Sequence, residues 1–149
     1  MSKRVVVSSL IGVAVLGAVA AGGLAMASTA TEPALEGGSA RYVAPSGGSA
    51  GSLTFTADVR DDSGVRGLKV LAWPASSKLD PTEAELRHVD DATCRSTSDD
   101  TSRCTYTLKV TQQEAAELER GAWYVSALAV AEDGGTVFLP RAATFDVGR

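Results

Sequence analysis

From Ser52 to Arg60 apolar and polar residues alternate without a break: Leu53, Phe55, Ala57 and Val59 fall on one parity, Ser52, Thr54, Thr56, Asp58 and Arg60 on the other. A period of two predicts a strand with one buried and one wet face. Asp61-Asp62-Ser63-Gly64 supplies turn residues, and Val65 to Trp73 resumes the pattern, with Leu68, Val70 and Ala72 on one face and Lys69, Leu71 and Trp73 on the other. The two runs predict a hairpin. A third strand is predicted after Arg103, with Cys104, Tyr106, Leu108 and Val110 facing inward. Ala122 to Ala131 is apolar on both faces, as a central strand requires. Glu132-Asp133-Gly134-Gly135 turns the chain, Thr136 to Leu139 returns, and Thr144 to Val147 closes it after Pro140. Upstream, a short edge strand is expected around Tyr42-Val43, ending at Pro45.

Two short helices interrupt the strands. Asp80-Pro81-Thr82-Glu83 reads as Asp N-cap, Pro at the first helical position and Glu at the third, leading into Ala84 to Arg87. Thr111-Gln112-Gln113-Glu114 is a capping box, with the helix expected over Ala115 to Arg120 and Gly121 just past its end. Six or seven short strands at this spacing, with one or two short helices, predict an all-β sandwich.

The N-terminus changes the compartment in which this fold must form. Lys3 and Arg4 precede an apolar run from Val5 to Leu24, and Ala25-Met26-Ala27 completes an A-x-A site. That order predicts an export signal over residues 1–27, cleaved after Ala27 or, at the next small-x-small site, after Ala30. An uncleaved signal anchor is the alternative, since about 20 apolar residues reach across a bilayer. The small polar residues that follow predict a flexible linker over 28–37 and a folded domain over 38–149. Export leaves no membrane attachment after cleavage.

Loss of Lys3 and Arg4 takes the 14 basic residues to 12 against 18 acidic ones, a net charge of −6. An acidic surface without a Lys/Arg cluster argues against nucleic acid as a partner. Cys94 and Cys104 are the only cysteines, which in an exported chain predicts a disulfide. It would close the polar stretch Arg95 to Arg103 into a braced loop.

At Asp61-Asp62-Ser63-Gly64-Val65, and again at Leu118-x-x-Gly121-x-Trp123-Tyr124-Val125-Ser126-Ala127, the sequence resembles bacterial immunoglobulin-like and fibronectin-III-like modules. With Arg41 to Pro45 at the first strand, the mature chain as a whole resembles small exported domains of unknown function from actinomycetes such as Streptomyces. The resemblance implies an immunoglobulin-like sandwich and an extracellular address, and no activity. It departs from antibody domains in its cysteines, which lie too close in sequence to join two sheets across the core.

Chemistry is sparse. His88 is the sole imidazole, beside Asp90 and Asp91, and neither a G-x-S-x-G elbow nor an S-x-x-K signature accompanies it. A solvated histidine at a helix end accounts for it. The carboxylate pairs Asp61-Asp62, Asp90-Asp91 and Asp99-Asp100 lack calcium-loop spacing and consist of what turns contain. No cofactor or metal is expected, nor an enzyme. Trp73, Trp123 and Tyr124 read as core, with Trp73 the best candidate for exposure among them because Lys69 shares its face.

The expectation is therefore a secreted, monomeric, non-catalytic module that binds an extracellular protein or a cell-envelope component. Its candidate binding loop is carried by Arg95, Asp99, Asp100 and Arg103, with Asp61 and Asp62 as a candidate acidic turn. The alternative is a protease inhibitor presenting the loop Arg95 to Arg103.

Overall fold

The structure, a computed structural model, describes residues 30–148; the expected export signal lies outside them. Seven strands and two helices follow in the order β1 (Ala34–Val43), β2 (Gly51–Arg60), β3 (Val65–Pro74), α1 (Glu83–Leu86), β4 (Thr93–Ser96), β5 (Thr101–Val110), α2 (Gln112–Glu117), β6 (Gly121–Ala131) and β7 (Thr136–Val147). They form two antiparallel sheets, one ordered β1-β2-β5-β4 and the other β3-β6-β7. This is the all-β sandwich expected. Its strand order is that of a seven-strand immunoglobulin constant-type domain, four strands facing three.

The alternation of β2 sets the core. Leu53, Phe55, Ala57 and Val59 are all buried and pack against Leu68 and Val70 of β3, Val125, Ala127 and Ala129 of β6, and Phe145 and Val147 of β7. Among the described residues no helix is long and apolar enough to cross a membrane.

The turn at Asp61 to Gly64 is real but does not make a hairpin. β2 pairs with β1 and β5, whereas β3 pairs with β6, so the turn carries the chain from one sheet to the other. Asp61 closes it: one carboxylate oxygen accepts from the Ser63 backbone N–H at 2.9 Å and from the Ser63 hydroxyl, and the Asp61 carbonyl accepts from Gly64 N–H. Gly64 has φ +99°, which a side chain would strain. Local turn chemistry does not encode whether the next strand joins the same sheet.

Other boundaries move for identifiable reasons. β1 starts at Ala34, inside the stretch expected to be linker, because Ala34 to Glu36 ladder onto Arg60 to Asp58. A bulge at Gly37-Gly38 then carries β1 against β7, where a Cβ on Gly38 would come within 2.6 Å of the Ala142 carbonyl oxygen. Thr82, not Asp80, caps α1, its hydroxyl accepting from Glu85 N–H and the Glu85 carboxylate accepting from Thr82 N–H. The capping box at Thr111 and Glu114 forms as expected, but α2 ends at Glu117 because Leu118 is already extended. The two C-terminal pieces are one strand, β7, which bulges at Pro140 to Ala142 on the sheet edge, where a missing N–H is tolerated.

Trp73 is buried, on the outer face of the three-stranded sheet and not in the core between the sheets. The connection from β3 to β4 folds back and sets α1 against β3 and β6; Leu86, Trp73 and Leu128 are all buried although none of them belongs to the core between the sheets. Leu108, by contrast, has the inward parity expected of it yet is 47% exposed.

Candidate functional site

The stretch Arg95 to Arg103 is a β-hairpin rather than a loop. β4 and β5 pair in register, with Cys94 opposite Cys104 and Arg95 opposite Arg103, and only Thr97 to Asp100 remain as the tip. The disulfide joins Cys94 to Cys104 directly across the ladder. It braces neighbouring strands of one sheet, consistent with the short spacing of the cysteines.

The candidate binding residues divide between two surfaces. Asp100 turns back toward the β2–β3 turn, where its carbonyl accepts from Asp61 N–H at 2.8 Å and its carboxylate pairs with Arg60 at 3.0 Å. The Ser98 hydroxyl, then Thr101 and Arg60, hold the Asp100 carboxyl below the usual carboxylate range. Arg103 lies on the outer face and makes a two-pronged pair with Asp58, at 3.0 and 2.9 Å. Arg95 and Asp99 are exposed and enter none of the ion pairs among the described residues.

Asp61 is structural as well. It is 4% exposed, and its second carboxylate oxygen accepts from the Thr31 hydroxyl at 3.2 Å. Thr31 N–H also donates to Asp133, whose own N–H donates to Ser63 Oγ. Three connections, β2–β3, β4–β5 and β6–β7, are thus tied together at one end of the sandwich. Asp62 is exposed beside this network. Asp61 and Asp100, candidate binding residues by sequence, thus both carry structural bonds, whose donors the sequence alone does not assign.

The Ser63 hydroxyl, followed by the Ser63 and Thr31 bonds and against the opposing effect of burial, lowers the Asp61 pKa from 3.8. A carboxyl with a depressed folded-state pKa contributes stability above its unfolded value and loses it as pH falls through the folded value. The wild type is therefore expected to lose urea resistance as pH drops below about 4. Asp61→Asn should be weaker at pH 7 by about 1–3 kcal/mol and show a shallower acid slope. Parallel slopes for the two proteins in urea titrations between neutral and acid pH would refute this role.

A concave surface borders β4. There, Asp90, Asp91, Arg95, Tyr106, Thr107 and Leu108 help line a trough of about 1030 Å³. It exists because β4 is short: before Thr93 the chain crosses to the other sheet, with Val70 N–H donating to the Asp90 carbonyl and Ala92 N–H to the Leu68 carbonyl. Lys69 pairs with Asp91 at 2.8 Å, and Asp90 enters no ion pair among the described residues. Burial raises the Tyr106 pKa, and the nearby Asp90 carboxylate raises it further. The second half of β5 consequently has no neighbour on this side, and Leu108 is left uncovered.

Residue parity alone did not reveal this trough. A signal was present in the turn-like pair Asp90-Asp91 only a few residues before Cys94, which leaves little room for a full-length partner to β5.

His88 is exposed after α1, with no side-chain hydrogen bond to a serine or carboxylate among the described residues. No group of three or more His, Cys, Asp or Glu side chains converges as a metal site among them either. Both arginines of the hairpin sit in the ladder, and its apex, Thr97 to Asp100, carries no basic residue.

Neither a curated protein nor a solved structure matches the chain. A family model described as a family of unknown function, DUF5707, matches residues 35–129, a span that takes in β1 to β5, both helices and most of β6. The hairpin, its disulfide and the trough beside β5 all fall within the matched span, and the chain belongs to the DUF5707 family.

Proposed function

We propose that this chain is an exported, non-catalytic, immunoglobulin-like module that binds an extracellular protein or a cell-envelope component. The observation that carries the reading is the trough beside β5, a concave surface built on a rigid, disulfide-braced hairpin and lined by groups the fold leaves unused: Arg95, Asp90 and Leu108. Binding surfaces concentrate where a stiff scaffold presents unspent polar groups and exposed apolar ones. The export pattern before Ala27 and the disulfide support an oxidising, extracellular address. The strand order and the resemblance at Asp61 to Val65 support the immunoglobulin-like assignment.

The test is retention of a partner on the immobilised protein from two sources, secreted proteins and isolated cell walls. The expected result is a partner that wild type retains and that Arg95→Glu combined with Leu108→Asp releases, with both proteins unfolding at similar urea concentrations. A partner held equally by both proteins would move the site elsewhere. Retention of neither material above an unrelated immobilised domain would remove the reading.

A further inference from the structure

The backbone of β5 shows what the trough can hold. Asp61 N–H donates to the Asp100 carbonyl in the register that pairs β2 with β5, so the even-numbered residues of β5 direct their backbone groups toward β2. Thr97 N–H donates to the Thr101 carbonyl in the register that pairs β4 with β5, so the odd-numbered residues face the opposite way. Thr101, Arg103 and Thr105 meet β4 there. Thr107 and Lys109 meet no strand, because β4 begins at Thr93 and pairs no farther along β5 than Thr105.

We propose that this vacated edge, Tyr106 to Val110, takes an extended peptide segment of a partner protein as an additional strand in the place β4 leaves. The inference rests on the binding-module reading above and names the chemistry of its partner. Two N–H and two C=O groups, of Thr107 in the trough and Lys109 next along the same edge, alternate at strand spacing and are complementary to one kind of ligand, another extended backbone. Side chains refine the class. Leu108 and half-buried Tyr106 stand on the same face and suit apolar residues at alternate peptide positions. Asp90, which lines the trough together with Tyr106 and enters no ion pair among the described residues, suits a basic residue in the peptide.

A second copy of this chain fits less well. The edge is closed at one end by Thr93 and at the other by the turn into α2 at Thr111, leaving roughly 17 Å of strand at 3.3–3.4 Å per residue. Pairing two such edges would bury far less than the ~1,200 Å² of a stable association. A peptide that leaves its parent protein free to make other contacts has no such requirement.

The experiment uses a library of capped octapeptides that alternate Val or Leu with Thr, Lys or Arg, screened against the full chain. The tightest member is then made in two forms, N-methylated on one or the other set of alternate amides. In a paired strand only one set faces β5, so one form should lose about tenfold or more in affinity and the other should bind as the parent does. Amide exchange at Thr107 and Lys109 should slow on binding, while Leu108, already bonded to β2, should not change.

Thr107→Pro removes an outward N–H without touching the β2 ladder, and should abolish binding while leaving the fold intact. Leu108→Asp serves the same purpose without altering the backbone. If no library member binds, or both methylated forms bind alike, the strand-addition inference is overturned. A dimer of the free protein with Thr107 and Lys109 already protected would overturn it too, by assigning the edge to a second copy. If a partner retained from secreted proteins or cell walls is unaffected by Thr107→Pro, the module still binds but not through this edge.

Discussion

Phe55→Ala is expected to cost about 3–5 kcal/mol of stability, and Leu108→Ala no more than about 0.5 kcal/mol, although both residues occupy inward-facing positions on neighbouring strands. Phe55 is fully buried at the middle of β2, opposite Ala40 of β1 and Tyr106 of β5, within the cluster that joins both sheets. Removing its ring leaves a cavity whose walls are strands fixed by ladders on both sides, so little of it can collapse. For a domain with a total stability of about 5–15 kcal/mol, that loss is a large part of the whole. Leu108 already meets solvent over almost half its surface, and its truncation opens no closed space. Urea unfolding followed by circular dichroism measures both. Equal losses would mean that the four-stranded sheet is covered along its full width and that the trough is closed in solution.

The contrast marks how far periodicity reaches. Alternation along β2 identifies each buried apolar side chain of that strand, because β1 and β5 pair along its length. Applied to β5, the same parity is right about direction and wrong about Leu108, because burial also needs something opposite, and the edge beside it has been abandoned by β4. The Asp61 to Gly64 turn is similarly half legible. Its Asp, Ser and Gly specify a tight reversal through bonds made within four residues, but the choice between a hairpin and a crossing of sheets depends on β6 and β5, far along the chain.

The candidate site divides along the same line. The cysteines predict the disulfide correctly, since compartment and spacing are local facts, whereas the polar stretch between them, expected as a loop, is largely a paired hairpin. Asp100 and Arg103 read as unassigned because their partners, Arg60 and Asp58, sit on β2, and Asp61 because Thr31 comes from a stretch read as linker. The backbone groups of Thr107 and Lys109 carry no side-chain signature at all; they emerge only once two strand registers are known.

The outer face of the three-stranded sheet gives the second large effect. Leu86→Ala is expected to cost about 2–5 kcal/mol even though Leu86 lies on a helix of a single turn and outside the core between the sheets. So short a helix has almost no stability of its own. Its capping box orients it, and full burial of Leu86 where α1 meets β3 and β6 holds it on the sheet. On the same sheet the indole N–H of Trp73 donates to Ser126 Oγ at 2.9 Å, and that hydroxyl donates to the Pro140 carbonyl at 2.7 Å, satisfying the bulge in β7. The Trp73 ring stacks at a tilt on Tyr124, 4.9 Å between centroids, with the Arg141 guanidinium 4.5 Å above the tyrosine ring. Ser126→Ala leaves the buried indole donor and the carbonyl without their shared partner, a further loss of about 1–3 kcal/mol. Because Ser126 acts on Trp73, Ser126→Ala and Trp73→Phe together should cost less than the sum of the two single changes, by at least about 0.5 kcal/mol. Leu86→Ala does not sever that chain; it should loosen the cover and shift tryptophan emission toward longer wavelength before the sheets unfold. A loss under about 1 kcal/mol for Leu86→Ala with unchanged emission would show that the β3–β4 connection does not cover this face, and that Trp73 is the exposed aromatic its neighbour Lys69 first suggested.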